Sequence, residues 1–340
     1  MTDQSKIPLP PEGQAADGAG KDGKSLFERA SGAFGMQGFR PAPMPDALAD
    51  APAPARPREK VAEPVADVPA PAPATPADLP PAEKPVAPAA EPVRFSGAKH
   101  AIDRAHLAAQ GMIVPEGAVT TLLEEFRIVK RELLRAARDA RQGGEPSRAQ
   151  RVLICSPLPG EGKTFCATNV ALAIAAEKDS EVLLVDADFA KPSILSVLGL
   201  EGGPGLMDAL RDPSIRVEDC VIGTDIPGLW VLPAGNQTTQ DSEYLSSDRT
   251  VQVLDRLTRG APNRMVIFDS PPALAASPAA ELAKHVGQAV LIARADSTGQ
   301  SALEDALSLL STCPDIKLLL NSAHFSPSGR RFGSYYGYGG

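Results

Sequence analysis

The sequence is poor in aromatic residues: they make up 4% of 340 positions, with one tryptophan and four tyrosines. Where the few rings fall is therefore informative. Cysteines are also few. Cys155, Cys166, Cys220 and Cys313 show neither a CxxC nor paired metal-ligand spacing, which excludes a disulfide framework or zinc site and points to core residues in a reducing compartment. No stretch reaches 18 apolar residues, so no membrane span is expected. The polar start "MTDQSKIPLPPEG" lacks the apolar core of a secretory signal. The expected location is the cytoplasm. An excess of positive charge is missing too: 34 Lys and Arg against 42 Asp and Glu give a net charge of −8. That disfavours a nucleic-acid binder relying on a general basic field, and none is expected as a partner.

Proline, by contrast, is concentrated. Sixteen of the 34 prolines lie between Pro41 and Pro92, among Ala, Val, Asp and Glu. Such a segment has too little large apolar surface to offset the entropy of ordering it. Residues 1–100 are expected to be a disordered Pro/Ala-rich tail with polyproline character. About 240 residues remain, enough for one domain with a sizeable core.

Residues 101–147 read as a helical segment. In "VTTLLEEFRIVKRELLRAARDARQ", Leu122, Phe126, Val129 and Leu133 form one apolar stripe. Thr121 and Glu124 fit a capping box. From residue 148 to 322 short apolar runs alternate with helical ones. The expected strands are "RVLIC", "VLLVD", "LWVLP", "MVIFD", "AVLIARA" and "IKLLLN"; the helices include Thr164 to Glu177, Ser242 to Thr258 and Gln300 to Leu310. Continuous apolar strands separated by helices predict a mainly parallel α/β sheet covered on both faces.

The most informative stretch is "RVLICSPLPGEGKTFCATNVALAIA". A strand runs into a loop holding Gly160 and Gly162, then Lys163-Thr164, then a helix. A polyphosphate needs backbone donors, a cation and a metal ligand converging on one volume. The glycines let the backbone wrap the anion, the helix start adds positive dipole, Lys163 reaches the phosphates and Thr164 holds Mg²⁺. The strict pattern GxxxxGK[ST] fails at one position, where Pro157 replaces the first glycine. Asp186 ends the strand in "VLLVDADFAKP", with Asp188 two residues later, and Asp269 ends the one in "MVIFDSPP". Carboxylates at the carboxyl ends of parallel strands point into the crevice where such sheets bind ligands. The fold class is that of P-loop NTPases, and ATP with Mg²⁺ is the expected ligand pair.

These motifs resemble those of the bacterial tyrosine kinases, the P-loop autokinases of capsule and exopolysaccharide loci. "SPLPGEGKT" is similar to their Walker A, "VLLVDADFAKP" to their Walker A′ and "VIFDSPP" to their Walker B. "LPAGNQTTQDSEYLSS" is similar to the family's linking stretch and "GSYYGYGG" to its terminal tyrosine cluster. The helix "EEFRIVKRELL" looks like that of autokinases beside exosortase-type polysaccharide loci. The resemblance implies an ATP-dependent protein-tyrosine kinase whose nucleotide is lined by Pro159, Gly160, Glu161, Gly162, Lys163, Thr164 and Phe165. Asn321 would contact the base. Asp269, Asp186 and Thr164 would serve the metal, with Asp186 and Asp188 sharing activation of the incoming phenol. Glu124, Arg127 and Lys130 match the family's oligomerisation helix, with lysine where arginine is usual, and imply a homo-oligomer, by analogy a ring. Ala190 and Lys191 stand where an arginine is common. Many members are joined to a membrane protein of the polysaccharide co-polymerase type. With no span of its own, this chain implies a separate activator of that kind and a peripheral place at the inner membrane.

Three of the four tyrosines, Tyr335, Tyr336 and Tyr338, fall in the last six residues, within a glycine-rich segment read as a flexible tail over 323–340. A phenol with a pKa near 10 needs a carboxylate to take its proton. A mobile tail of this length has an r.m.s. span of roughly 20–24 Å, enough to visit a nucleotide pocket, its own or a neighbour's. The phenols are therefore read as phosphoacceptors. Tyr244, in a helical pattern, reads as structural. Two other readings stay open: a partitioning-type ATPase switch, against which stands Leu158 in place of that class's signature lysine, and a catalytically silent scaffold of a polysaccharide export complex.

Overall fold

Each central strand places odd-numbered residues on one face and even-numbered residues on the other, and both sets are largely apolar. In the computed structural model, which describes residues 92–142 and 146–323, Leu153, Cys155, Leu183, Val185, Val266, Phe268, Ala289 and Leu291 pack into one core layer. Val152, Ile154, Val182, Leu184, Met265, Ile267, Val290 and Ile292 pack into the other. That explains why the sequence shows continuous apolar runs rather than alternation.

In chain order the elements are β1 (Lys99–His100), α1 (Arg104–Ala109), α2 (Thr121–Gln142), α3 (Pro146–Ala149), β2 (Arg151–Cys155), α4 (Lys163–Ala175), β3 (Glu181–Asp186), α5 (Ile194–Leu198), α6 (Leu206–Arg211), a 3₁₀ turn (Val217–Cys220), β4 (Ile222–Thr224), β5 (Leu229–Leu232), α7 (Asp241–Leu245), α8 (Asp248–Thr258), β6 (Arg264–Asp269), α9 (Pro278–Ala283), β7 (Gln288–Arg294), α10 (Gln300–Leu309) and β8 (Ile316–Asn321). They form one eight-stranded sheet in the order β1-β4-β5-β3-β6-β2-β7-β8. Every pairing is parallel except β4 with β5. Helices α1, α2, α4 and α5 cover one face; α6, α8, α9 and α10 cover the other. The expected doubly covered parallel sheet is what the chain forms.

The chain leaving β2 crosses to β3 on one side of it, and that leaving β6 crosses to β7 on the other. This reversal opens a crevice at the carboxyl ends of β2 and β6. Register does the rest: Asp186 lies opposite Asp269 across β3 and β6, and Arg294 opposite Asn321 across β7 and β8.

Three expectations need correction, and two short strands were not foreseen. Residues 92–100, assigned to the tail, are built into the domain. Phe95 is buried and meets Trp230 edge-on at 5.5 Å, and the Arg264 guanidinium lies 3.8 Å over the Phe95 ring. Arg264 also donates to the Val93 carbonyl at 3.0 Å and pairs with Glu181 at 2.7 Å. Proline counting misses this because one ring and one strand bridge suffice to hold the segment. Helix α2 is capped by Thr120, not Thr121: its hydroxyl accepts the Leu123 N–H at 3.2 Å, while Glu124 pairs with Arg127. The single helix expected over Ser242 to Thr258 is two, α7 and α8. The Ser247 and Thr250 hydroxyls both donate to the Tyr244 carbonyl and so compete with continued helix. Strands β1 and β4 are too short to leave a periodic signal.

Candidate functional site

The loop between β2 and α4 turns its carbonyls outward. Ser156 O accepts from Ala273 N–H at 2.8 Å, Pro157 O from Leu274 N–H at 3.2 Å and Leu158 O from the Ser156 hydroxyl at 2.8 Å. Gly160 O accepts from Arg294 Nη1 at 3.2 Å, Glu161 O from Asn321 Nδ2 at 2.9 Å and Gly162 O from Cys166 N–H at 2.9 Å. A peptide whose carbonyl is held on the outer side presents its N–H on the inner one. The N–H groups of residues 160–165 have no acceptor among the described residues, so the loop is a row of unsatisfied donors opening to solvent at the start of α4. That is an anion cradle by construction. Gly160 and Gly162 have φ of +80° and +94°, which side chains resist. A Cβ on Gly162 would stand 2.2 Å from Asn321 Nδ2.

Around this row the structure gathers the charged groups. Lys163 Nζ lies 2.7 Å from Asp188 Oδ2. The Thr164 hydroxyl donates to Asp269 Oδ2 at 2.6 Å and lies 3.2 Å from Ser193 Oγ. Asp269 is fully buried, and its Oδ1 has no partner among the described residues. Burial pushes its carboxyl up to about 7, although Lys163 and the Thr164 hydroxyl act in the opposite direction. Asp186 is also buried, and burial raises it to about 6 against three backbone donors. Its Oδ2 accepts from Ser193 and Ile194 N–H at 2.8 and 2.9 Å, and its Oδ1 from Asp188 N–H at 3.3 Å. Asp186 thus pins the turn after β3 as well as facing Asp269.

An orphaned buried carboxylate oxygen beside a threonine hydroxyl is a fitting place for a small divalent cation. No group of three His, Cys, Asp or Glu side chains among the described residues is arranged to hold a metal. The rest of the shell would be phosphate oxygens and water, which Mg²⁺ accepts readily. The residues therefore fit Mg²⁺ together with a polyphosphate and do not fit a metal held by protein alone.

Other expected residues fall less directly. The Glu161 side chain is not turned to the cradle; it is buried behind the loop, accepting from Leu158 N–H at 2.8 Å and from the Thr298 hydroxyl. A carboxylate among phosphates would repel them, and only the Glu161 N–H faces the row. Pro159 offers no N–H. The Phe165 ring packs edge-on against Phe126 at 6.2 Å, tying the loop to α2. Lys130 is nearly buried and pairs with Glu177 at 2.7 Å within the same chain. Tyr244 packs on the core. Tyr335, Tyr336 and Tyr338 lie outside the described residues. Sequence reading missed Ser193, Arg294 and Thr298. The last two sit in "RADSTG", a strand end of the same kind that directed attention to Asp186 and Asp269.

No protein-family model matches the sequence. Over 190 residues it is 31% identical to the tyrosine-protein kinase YwqD of Bacillus subtilis, covering 56% of this chain and 76% of that one. The chain belongs to the bacterial tyrosine-protein kinases. It is also 32% identical over 158 residues to the tyrosine-protein kinase ptk of Acinetobacter johnsonii. The match takes in 46% of this kinase-family chain but only 21% of that relative's length. Among solved structures, the chimerical protein CapA2B2 shares the family member's fold, with a TM-score of 0.51 at 23% identity over 64% of this chain and 91% of that one. Among the described residues no helix is long and apolar enough to cross a membrane.

Proposed function

We propose that the chain is an ATP- and Mg²⁺-dependent protein-tyrosine autokinase whose acceptors are Tyr335, Tyr336 and Tyr338. The observation that carries this reading is the convergence of Lys163, Thr164, Asp186, Asp188 and Asp269 beside the row of unsatisfied N–H groups on the inner side of the loop, in a chain of this family with a tyrosine cluster in its last residues. The N–H groups of residues 160–165 and the Lys163 ammonium would bind the phosphates of ATP. Asn321, whose amide donates to the Glu161 carbonyl, would contact the base. Thr164 and Asp269 would hold Mg²⁺, with Asp186 adjoining. When bound, Mg²⁺ neutralises charge on the phosphates.

We assign the phenol's proton to Asp188, because Asp186 is taken up by three backbone donors and Asp269 by the Thr164 hydroxyl. As the phenol oxygen bonds to the γ-phosphorus, the bond from that phosphorus to the β–γ bridging oxygen breaks. ADP departs with the electron pair and the proton passes to Asp188. For this, Lys163 must leave Asp188 for the phosphates, which both frees the base and moves the cation to where negative charge accumulates. Phosphates on the tail would add roughly −1.5 to −2 charges each, a means of separating subunits associated through the Glu124 and Arg127 part of α2, with Lys130 turned to Glu177 of its own chain. We assign the protein to control of exopolysaccharide synthesis or export at the cytoplasmic face of the inner membrane, with a separate membrane activator of the polysaccharide co-polymerase type.

The test is incubation of the purified chain with γ-labelled ATP and Mg²⁺, with and without Lys163→Met, followed by mass spectrometry. Label is expected on Tyr335, Tyr336 and Tyr338 and lost in the variant. ATP hydrolysis with no labelled protein, even with a candidate membrane activator present, would overturn the autokinase reading in favour of a partitioning-type switch.

A further inference from the structure

The phosphate loop is held from behind by residues that none of its motifs include. Glu161 is only 3% exposed, so both carboxylate oxygens need partners within the protein. Oε2 accepts the Leu158 N–H at 2.8 Å, bridging the neck of the loop. Oε1 accepts the Thr298 hydroxyl. That hydroxyl in turn accepts the Arg294 N–H at 2.8 Å, so its donor and an acceptor site are both used. From the same strand end, Arg294 Nη1 donates to the Gly160 carbonyl at 3.2 Å. Arg294 has no ion-pair partner among the described residues, leaving the loop carbonyl as its bonded acceptor.

We propose that Thr298 and Arg294 are positioning residues for the phosphate loop, Thr298 acting through the Glu161 carboxylate and Arg294 through the Gly160 carbonyl. The physical need is specific. Glycine at φ of +80° and +94° on either side of Glu161 leaves the intervening peptides free to rotate. A rotation that turned carbonyls inward would replace donors by acceptors where phosphates sit. It would also let the Glu161 carboxylate swing toward those phosphates. Thr298 keeps the negative charge behind the loop, and Arg294 keeps the Gly160 carbonyl out. Arg294 ends β7 and Thr298 follows it, so neither comes from β2 or α4, and the donor row is set by a neighbouring strand as well as by the loop's own sequence.

The inference rests on the nucleotide reading, and one experiment separates the two. The full chain and its Thr298→Ala, Thr298→Ser, Arg294→Met and Lys163→Ala variants are titrated with a fluorescent ADP analogue and Mg²⁺. Each is also melted without nucleotide. Thr298→Ala is expected to weaken binding about tenfold and Arg294→Met several-fold, with Thr298→Ser within about twofold of wild type, because serine restores the hydroxyl. Thr298→Ala leaves the buried Glu161 Oε1 without its donor, so its nucleotide-free melting temperature should fall by several degrees and recover in Thr298→Ser. Titrations run well below that melting point read a loss of binding in folded protein, which a merely structural role would not give. Wild-type and Thr298→Ala binding that agree, while Lys163→Ala binding is lost, would overturn this proposal alone. Equal losses in Thr298→Ala and Thr298→Ser would overturn the hydroxyl's role. No saturable binding by wild type would overturn the nucleotide reading and this inference with it.

Discussion

Lys163 and Asp188 form a 2.7 Å ion pair, in which the cation we assign to phosphate neutralises the carboxylate we assign to the phenol. Both partners are largely shielded from solvent. Nucleotide entry is thus an exchange of one anion for another at Lys163. Asp188→Asn removes the competitor as well as the base. The variant should bind Mg²⁺-ATP as well as wild type or better, while tail labelling falls by about 10²–10⁴-fold. Parallel nucleotide titration and labelling assays check this, and a loss of binding equal to the loss of labelling would count against Asp188 as the base.

Asp269 has a folded-state carboxyl raised to about 7, chiefly by burial. Below about pH 4 it is protonated in folded and unfolded chains alike and has no effect. As pH rises toward 7 the unfolded chain ionises first, so metal-free stability declines across that interval. Asp269→Asn removes this cost. Its melting temperature should exceed that of wild type by roughly 5–10 °C at pH 8 without metal, with the gap closing toward pH 4. The same variant should lose Mg²⁺-dependent nucleotide binding. Melting curves over pH, with and without Mg²⁺-ATP, provide the measurement.

Gly162 combines a φ of +94° with a neighbour, Asn321 Nδ2, 2.2 Å from where a Cβ would stand. Gly162→Ala should therefore displace Asn321 from the Glu161 carbonyl and abolish nucleotide binding. The stability cost is expected to be about 1–2 kcal/mol from the backbone alone. Chemical denaturation and nucleotide titration of the variant test both halves.

Phe95 is buried between Trp230 and Arg264. Phe95→Ala in the full chain should cost about 3 kcal/mol or more, although composition places the residue in a tail. Urea denaturation would show it, and a change under 0.5 kcal/mol would mean the segment contributes nothing to the fold.

How much of this was legible beforehand follows from the physics of each signal. Strands β2, β3, β5, β6 and β7 announce themselves because a strand buried on both faces must be continuously apolar; β8 does so by its run of leucines, although Leu318 and Leu320 are exposed. Lys163, Thr164 and the aspartates stand at the ends of such runs, so their position could be read with their identity. The Ser247 break could not, since it depends on hydroxyls choosing the Tyr244 carbonyl over solvent. Phe95 was hidden because burial of one ring leaves no period. Thr298 and Arg294 escaped for another reason: their function lies in what they touch across β7 and β2, and a single sequence does not record contacts between strands.

The Asn321 bond to the Glu161 carbonyl has a kinetic consequence. It roots the chain's final segment against the rim of the phosphate cradle. Only 12 residues separate Ala323 from Tyr335, a contour of at most about 40–43 Å. An acceptor tethered by that length of chain would experience an effective concentration in the millimolar range whatever the bulk protein concentration. Labelling that keeps the same first-order rate on dilution would reveal that leash at work, whereas a rate falling with dilution would mean each subunit serves its neighbour.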